Sequence, residues 1–209
     1  MEKIVKELRG RDFFTISPKK IALLVIDMQN TFVAEGAVFE APNGRAIIPK
    51  IEEIVTYCRG NSIPVIWTRS DHSPPGGGLI VVKHPIIKYQ KEVWKGTKSF
   101  EYYPNMIQPL AEEHQIVKHK YDAFIGTDLD MVLKNLGVDT VIICGVFTEV
   151  CCESTARAAF FRDYKMVFLG DATAGSDPKT QDDTVMRMHI FYGRAMKTSE
   201  AIAEMEEFS

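Results

Sequence analysis

Cys151 is the residue of this chain best placed for covalent chemistry. It lies in 141–157 (VIICGVFTEVCCESTAR), where an apolar run reaches Gly145 and a helical pattern opens around Thr148, so the thiol falls in the first turn of a predicted helix. Unpaired backbone amides and the helix dipole favour an anion there, which would ease ionisation of a thiol and make it a better nucleophile. The same amides could hold an oxyanion. The competing reading is that Cys151 and Cys152 are two small buried apolar residues. Two charged residues occupy comparable places in the chain: Asp27 closes the apolar run at 21–26, and Lys118 closes a shorter one at 115–118. Taken alone, an aspartate after a strand caps a turn and a lysine is solvated.

The elements that must position these residues can be read from hydrophobic patterning. The run at 21–26 contains no polar residue, as expected of a strand buried on both faces. Residues 47–59 carry Ile47, Ile48, Ile51, Ile54, Val55 and Cys58 at helical spacing. Residues 63–68 (IPVIWT) predict a second strand, and 73–78 (SPPGGG) a loop. The segment 79–106 reads as irregular. Strands follow at 115–118, 140–145, 166–169 and 195–197. Helices are predicted at 128–136, 148–162, 180–191 and from Ser199, with the 166–169 strand stopping at Gly170 and Asp171.

Alternating strands and helices over one domain predict an α/β fold, a Rossmann-like three-layer sandwich with a mostly parallel six-stranded sheet. Right-handed crossovers bring the carboxyl ends of such strands to one edge, where ligands bind. Asp27, Lys118 and the stretch from Gly145 to Cys151 all sit at or just past strand ends, so residues far apart in the chain can converge. Residues 1–19 read as an amphipathic extension to a domain spanning 20–209.

Composition narrows the partners. The chain has 209 residues, 45% of them hydrophobic, enough for one sizeable core, and its net charge of -3 offers no electrostatic grip on nucleic acid or an anionic membrane. A small molecule is the expected partner. No apolar run approaches a membrane span and the first residues carry charges, so a cytoplasmic protein is expected. The four cysteines, Cys58, Cys144, Cys151 and Cys152, match neither a zinc-ligand spacing nor a disulfide framework, and reduced thiols are the expectation.

The 141–157 segment resembles the nucleophile segment of the isochorismatase-like cysteine hydrolases. The resemblance extends to 23–32 (LLVIDMQNTF), 117–124 (VKHKYDAF), 169–173 (LGDAT) and 191–194 (FYGR), in order along the chain. It implies that Cys151 is the attacking thiolate, Asp27 the base that takes its proton, and Lys118 the cation that holds the pair. Those roles are physically coherent, since a carboxylate within reach can accept a thiol proton while an ammonium stabilises both anions. The resemblance further implies a cis peptide between Val146 and Phe147, aiming the amides of Phe147 and Cys151 at an oxyanion, and assembly as a homodimer or homotetramer.

The activity implied is hydrolysis of a C–N bond in an amide, ureido or carbamoyl compound, as in the ureidoacrylate and N-carbamoylsarcosine amidohydrolase branch. Isochorismatase-type or nicotinamidase-type hydrolysis, or a silent binding member of the fold, are the alternatives. Nicotinamidases of this family bind a metal through a DxH motif and a later histidine. Here 68–72 reads TRSDH, with Ser70 at the first ligand position, so Asp71, His72 and His84 are expected to hold no metal and the enzyme to need no cofactor. Glu149 and Phe147 depart from common family residues and are expected to shape the pocket. Phe32, Trp67, Tyr121 and Phe147 are the candidate substrate walls, with Trp94 and Phe124 behind them.

Overall fold

The structure is a computed structural model that describes residue 7 and residues 13–207. Six strands form one sheet: β1 (Ile21–Ile26), β2 (Val65–Ser70), β3 (His114–Lys118), β4 (Thr140–Val146), β5 (Lys165–Ala174) and β6 (Arg194–Met196). Their order is β3-β2-β1-β4-β5-β6, and every neighbouring pair is parallel. The helices are α1 (Asn30–Val33), α2 (Ile48–Gly60), α3 (Leu79–Lys83), α4 (Ile86–Tyr89), α5 (Leu129–Asn135), α6 (Glu153–Phe160), α7 (Pro178–Phe191) and α8 (Thr198–Glu207). None of the described helices is long and apolar enough to cross a membrane.

The period-2 geometry of a strand explains why β1 needs no polar residue. Leu23 and Val25 point into a core built with Ile51, Ile54 and Val55 of α2 and with Ala201 and Met205 of α8. Ala22, Leu24 and Ile26 point the other way, onto Leu129 and Leu133 of α5, Ala156 and Ala159 of α6, and Met188 of α7. Both faces are covered, so the strand is buried throughout. Truncating a residue such as Ile54 to alanine would cost about 2–5 kcal/mol.

Two readings of the sequence change. The segment expected to be irregular contains the short helices α3 and α4. β5 does not stop at Gly170 but runs on to Ala174, with a bulge: Ile143 pairs with Phe168 while Gly145 pairs with Thr173. Asp171 looked like a terminator because its carboxylate is committed elsewhere, accepting the backbone N–H and the hydroxyl of Thr198 at the start of α8, both at 2.8 Å.

Most of the predicted extension 1–19 lies outside the described residues. Of the described part, Ile16 is buried and its N–H donates to Glu204 at 2.9 Å, while the Phe14 carbonyl accepts from Arg194 at 3.0 Å. That stretch packs on the β6–α8 end of the sheet. The candidate site lies towards the other end.

Candidate active site

Parallel pairing sets the site. β1, β2, β3 and β4 are adjacent and end at the same edge, delivering Asp27, Ser70, Lys118 and the 145–151 turn together. Asp27 follows the last residue of β1 in a left-handed backbone conformation, φ 51°, which short polar residues tolerate better than most. Its N–H donates to the Thr68 hydroxyl at 3.1 Å, and that hydroxyl donates to Asp27 Oδ1 at 2.6 Å. Across β2, Ser70 and Lys118 share a register position. The Ser70 hydroxyl donates to Asp27 Oδ2 at 2.8 Å and accepts from Lys118 Nζ at 2.8 Å. Lys118 Nζ also lies 2.7 Å from Asp27 Oδ2 and donates to the Lys120 carbonyl at 3.0 Å. Asp27, Thr68, Ser70 and Lys118 are all fully enclosed.

A buried ion pair survives only when its remaining hydrogen-bonding capacity is met, and here two hydroxyls and a carbonyl meet it. Burial opposes the Lys118 charge, but the neighbouring Asp27 carboxylate and Cys151 outweigh it and raise the ammonium above its usual pKa. The end of β2 is fixed by Gln29, whose side chain donates to the Ser70 and Phe100 carbonyls at 3.1 and 2.9 Å and accepts the Ser70 N–H at 2.7 Å.

Cys151 arrives from β4. The Val146–Phe147 peptide is cis, and Gly145 has φ 116° with the Ile26 carbonyl where a methyl group would sit, 2.1 Å away, so no side chain fits there. The chain then makes one π-helical turn, Thr148–Cys152, closed by a 3.0 Å bond from Cys152 N–H to the Phe147 carbonyl, before α6 begins. The predicted continuous helix is therefore two pieces, with Cys151 in the wider first one. The thiol interacts with both Asp27 and Lys118. The expectation that it ionises easily does not hold at rest: burial pushes it up to about 12, Lys118 pulls it down only in part, and Asp27 adds to the rise. The resting pair is thus a neutral thiol beside a base.

Cys151, 5% exposed, forms part of the wall of a cavity of about 200 Å³. Phe32, Tyr121 and Phe147 line it, together with Phe39, Ile87 and Val93, which gave no sequence signal because they lie on a turn and on the segment read as irregular. Trp67 does not. It is fully buried in the core with Leu23, Val25 and Ile54, stacks edge-on against Tyr102 at 5.8 Å and donates its indole N–H to Glu113 at 2.7 Å. Phe124 is likewise core, and Trp94 lines a neighbouring cavity. Glu149 reaches the wall and accepts the Ser176 N–H at 2.9 Å.

The donor set does not fit the metal centre of the nicotinamidase pattern. Ser70 is engaged by Asp27 and Lys118, Asp71 accepts the Ser73 and Lys95 amides at 3.0 and 3.1 Å, and the His84 ring packs edge-on against Phe39 at 5.9 Å. Among the described residues no three His, Cys, Asp or Glu side chains are grouped as an ion that needs three or four ligands requires.

Comparison with known proteins identifies the family and the fold. The isochorismatase domain family matches residues 21–200. A probable inactive nicotinamidase from Arabidopsis thaliana is 33% identical over 173 residues, covering 81% of this chain and 88% of that protein. Nicotinamidase 3 from the same plant is 32% identical over 186 residues, covering 87% and 85%. A cysteine hydrolase crystal structure from Pseudomonas syringae pv. phaseolicola 1448A superposes with a TM-score of 0.88 at 25% identity, covering 96% of this chain and all of that one. The chain therefore belongs to the isochorismatase family of hydrolases.

Proposed function

We propose that this protein is a cysteine-dependent amidohydrolase that cleaves a non-peptide C–N bond of a small molecule. The observation that carries this reading is the convergence of Asp27, Lys118 and Cys151 at one enclosed corner that opens onto an apolar cavity. The nicotinamidase relative adds support for amide chemistry.

In the proposed reaction Cys151 Sγ attacks the carbonyl carbon as its proton passes to Asp27. A resting thiol needs such a base because burial keeps it protonated at neutral pH. Lys118 holds the carboxylate ready and offsets the negative charge that develops. The oxyanion meets the amides of Phe147 and Cys151; among the described residues the Phe147 N–H donates to no protein acceptor. Collapse breaks the C–N bond, the proton on Asp27 goes to the leaving nitrogen, and a thioester remains. Water, giving a proton to Asp27, hydrolyses it and restores the thiol. The same reading puts the enzyme in the cytoplasm as a homodimer or homotetramer.

The experiment is a panel: ammonia or amine release from nicotinamide, ureidoacrylate, carbamoylsarcosine and biuret. At least one substrate is expected to turn over, with Cys151→Ala losing about 10⁴-fold or more in kcat. Iodoacetamide followed by peptide mapping is expected to mark Cys151 before Cys58, Cys144 or Cys152, which are fully buried. Binding without turnover of any member points to a silent binding protein, as the name of the inactive Arabidopsis relative cautions, and activity that survives Cys151→Ala overturns the nucleophile assignment.

A further inference from the structure

A side chain outside the catalytic cavity grips the turn that carries the nucleophile. Gln181 closes the first turn of α7, its N–H donating to the Asp177 carbonyl at 3.0 Å. Asp177 caps that helix, accepting the Thr180 N–H at 3.0 Å and the Thr180 hydroxyl at 2.5 Å, so the mount is firm. The Gln181 side-chain nitrogen lies 3.0 Å from the Gly170 carbonyl, 3.1 Å from the Thr173 carbonyl and 3.2 Å from the Thr173 hydroxyl. Its oxygen accepts the Thr148 hydroxyl. Carbonyls only accept, so the amide has one workable orientation. One half-buried amide thus ties the β5 bulge to the residue that follows Phe147. A second strap runs beside it, from the Ser176 N–H to Glu149 at 2.9 Å. Gln181 does not line the catalytic cavity; it borders a separate open groove with Asp171 and Val185. Its influence on the reaction must therefore pass through the backbone.

We propose that Gln181 is a positioning residue for the oxyanion site, fixing the Thr148 end of the turn so that the Phe147 and Cys151 amides point at the carbonyl oxygen of the substrate. Such donors work only while they hold station as charge develops, because dipoles already aligned cost no reorganisation. Thr148 is fully enclosed and its hydroxyl is spent on Gln181, so losing that amide frees the turn at its first residue. The Cys151 thiol answers to a different set, Asp27 and Lys118. The clamp therefore governs the developing oxygen charge and leaves the nucleophile alone. This rests on the amidohydrolase reading and deepens it.

The test uses the full chain. Gln181→Met keeps the bulk of the side chain and removes its hydrogen bonds, while Thr148→Val removes the hydroxyl from the other side. On the panel amide that wild type turns over fastest, each is expected to lower kcat about thirtyfold with KM within about threefold, short of the loss that follows removal of an oxyanion donor itself. The double variant is expected to lose no more than the worse single one, as two halves of one contact do, and Thr148→Ser to keep kcat within about threefold of wild type. Alkylation of Cys151 by iodoacetamide, a displacement that builds no oxyanion, is expected to run within about twofold of the wild-type rate in every variant. A parallel slowing of alkylation, a rise in KM in place of the fall in kcat, or losses that multiply in the double variant overturns the assignment. If Gln181→Met does not fold, Thr148→Val against Thr148→Ser carries the same comparison. A second arm needs no turnover. Benzaldehyde joins its carbonyl carbon to the thiol sulfur while the thiol proton ends on the aldehyde oxygen, giving a hemithioacetal whose oxygen takes the oxyanion's place. Calorimetric titration is expected to show binding that is lost in Cys151→Ala and about tenfold weaker in Gln181→Met. Equal affinity in wild type and Gln181→Met, or no adduct with wild type, sinks the proposal. If the adduct weakens as expected yet wild type turns over no amide, the hydrolase reading fails while the Gln181 assignment stands.

Discussion

The floor and the roof of the cavity follow different rules. On the floor, formed by the ends of β1 to β3, Asp27, Thr68, Ser70 and Lys118 satisfy one another completely. On the walls above, built from the excursion after β2 and the turn after β4, two enclosed polar atoms lack partners: His72 Nδ1 and Glu149 Oε2. A closed network resists change and fixes geometry for chemistry. The mainly apolar wall sets the shape of the space above it instead. On the proposed function, the floor holds the residues that react and the wall those that meet the substrate.

The largest break in that contrast should come from Lys118→Met. It strands the Asp27 carboxylate in a dry site, so a stability loss of about 3–5 kcal/mol by urea titration is expected, with kcat falling on the order of 10³-fold. An intact midpoint would mean the floor is wetter than it looks.

Next comes alkaline pH. Burial pushes Cys58 and Cys151 from 9.0 to about 12 and raises Cys144 and Cys152 as well. Between pH 9 and 12 the unfolded chain gives up thiol protons that the folded chain keeps, so the folded state binds more protons and stability falls as pH rises. Each thiol contributes up to about 1.4 kcal/mol per pH unit in that window, and urea midpoints at about pH 8 and about pH 10 would measure it.

Ser70→Ala removes one donor to Asp27 and one acceptor for Lys118 but no charge, and a roughly tenfold fall in kcat at similar KM is expected from steady-state kinetics. Smallest should be Ile80→Ala on the roof, where a half-buried side chain lines the cavity: KM rises a few-fold, kcat holds and the melting midpoint moves little. If Ile80→Ala affected kcat as strongly as Ser70→Ala, the division between floor and roof would collapse.

The floor was also the legible part of the sequence. Asp27, Lys118 and Cys151 each end or follow an apolar run, and an all-parallel sheet turns that one-dimensional fact into shared location. Trp67 misled because sequence proximity to a strand end says nothing of face. Thr68 and Ser70 point towards Asp27, so by the two-residue period Trp67 must point away, and that argument needs the hydrogen bonds to settle which face is which. Phe39, Ile80 and Ile87 could not be read at all. The place of Ile80 and Ile87 depends on how a Pro- and Gly-rich excursion folds back, that of Phe39 on the turn after α1, and no periodicity encodes either. Thiol ionisation was misjudged because local position suggested a helix dipole, whereas enclosure by the whole fold dominates.

The backbone at Asp27 carries one more implication. A residue held at φ 51° is cheaply replaced by asparagine or glycine and only at a steric penalty by valine or isoleucine. Mutational drift at this position is thus funnelled towards short polar or bare side chains. Asp27→Asn would keep the backbone shape but leave the enclosed Lys118 ammonium without its counter-ion, so the substitution cheapest for the backbone is among the costliest for the ion pair.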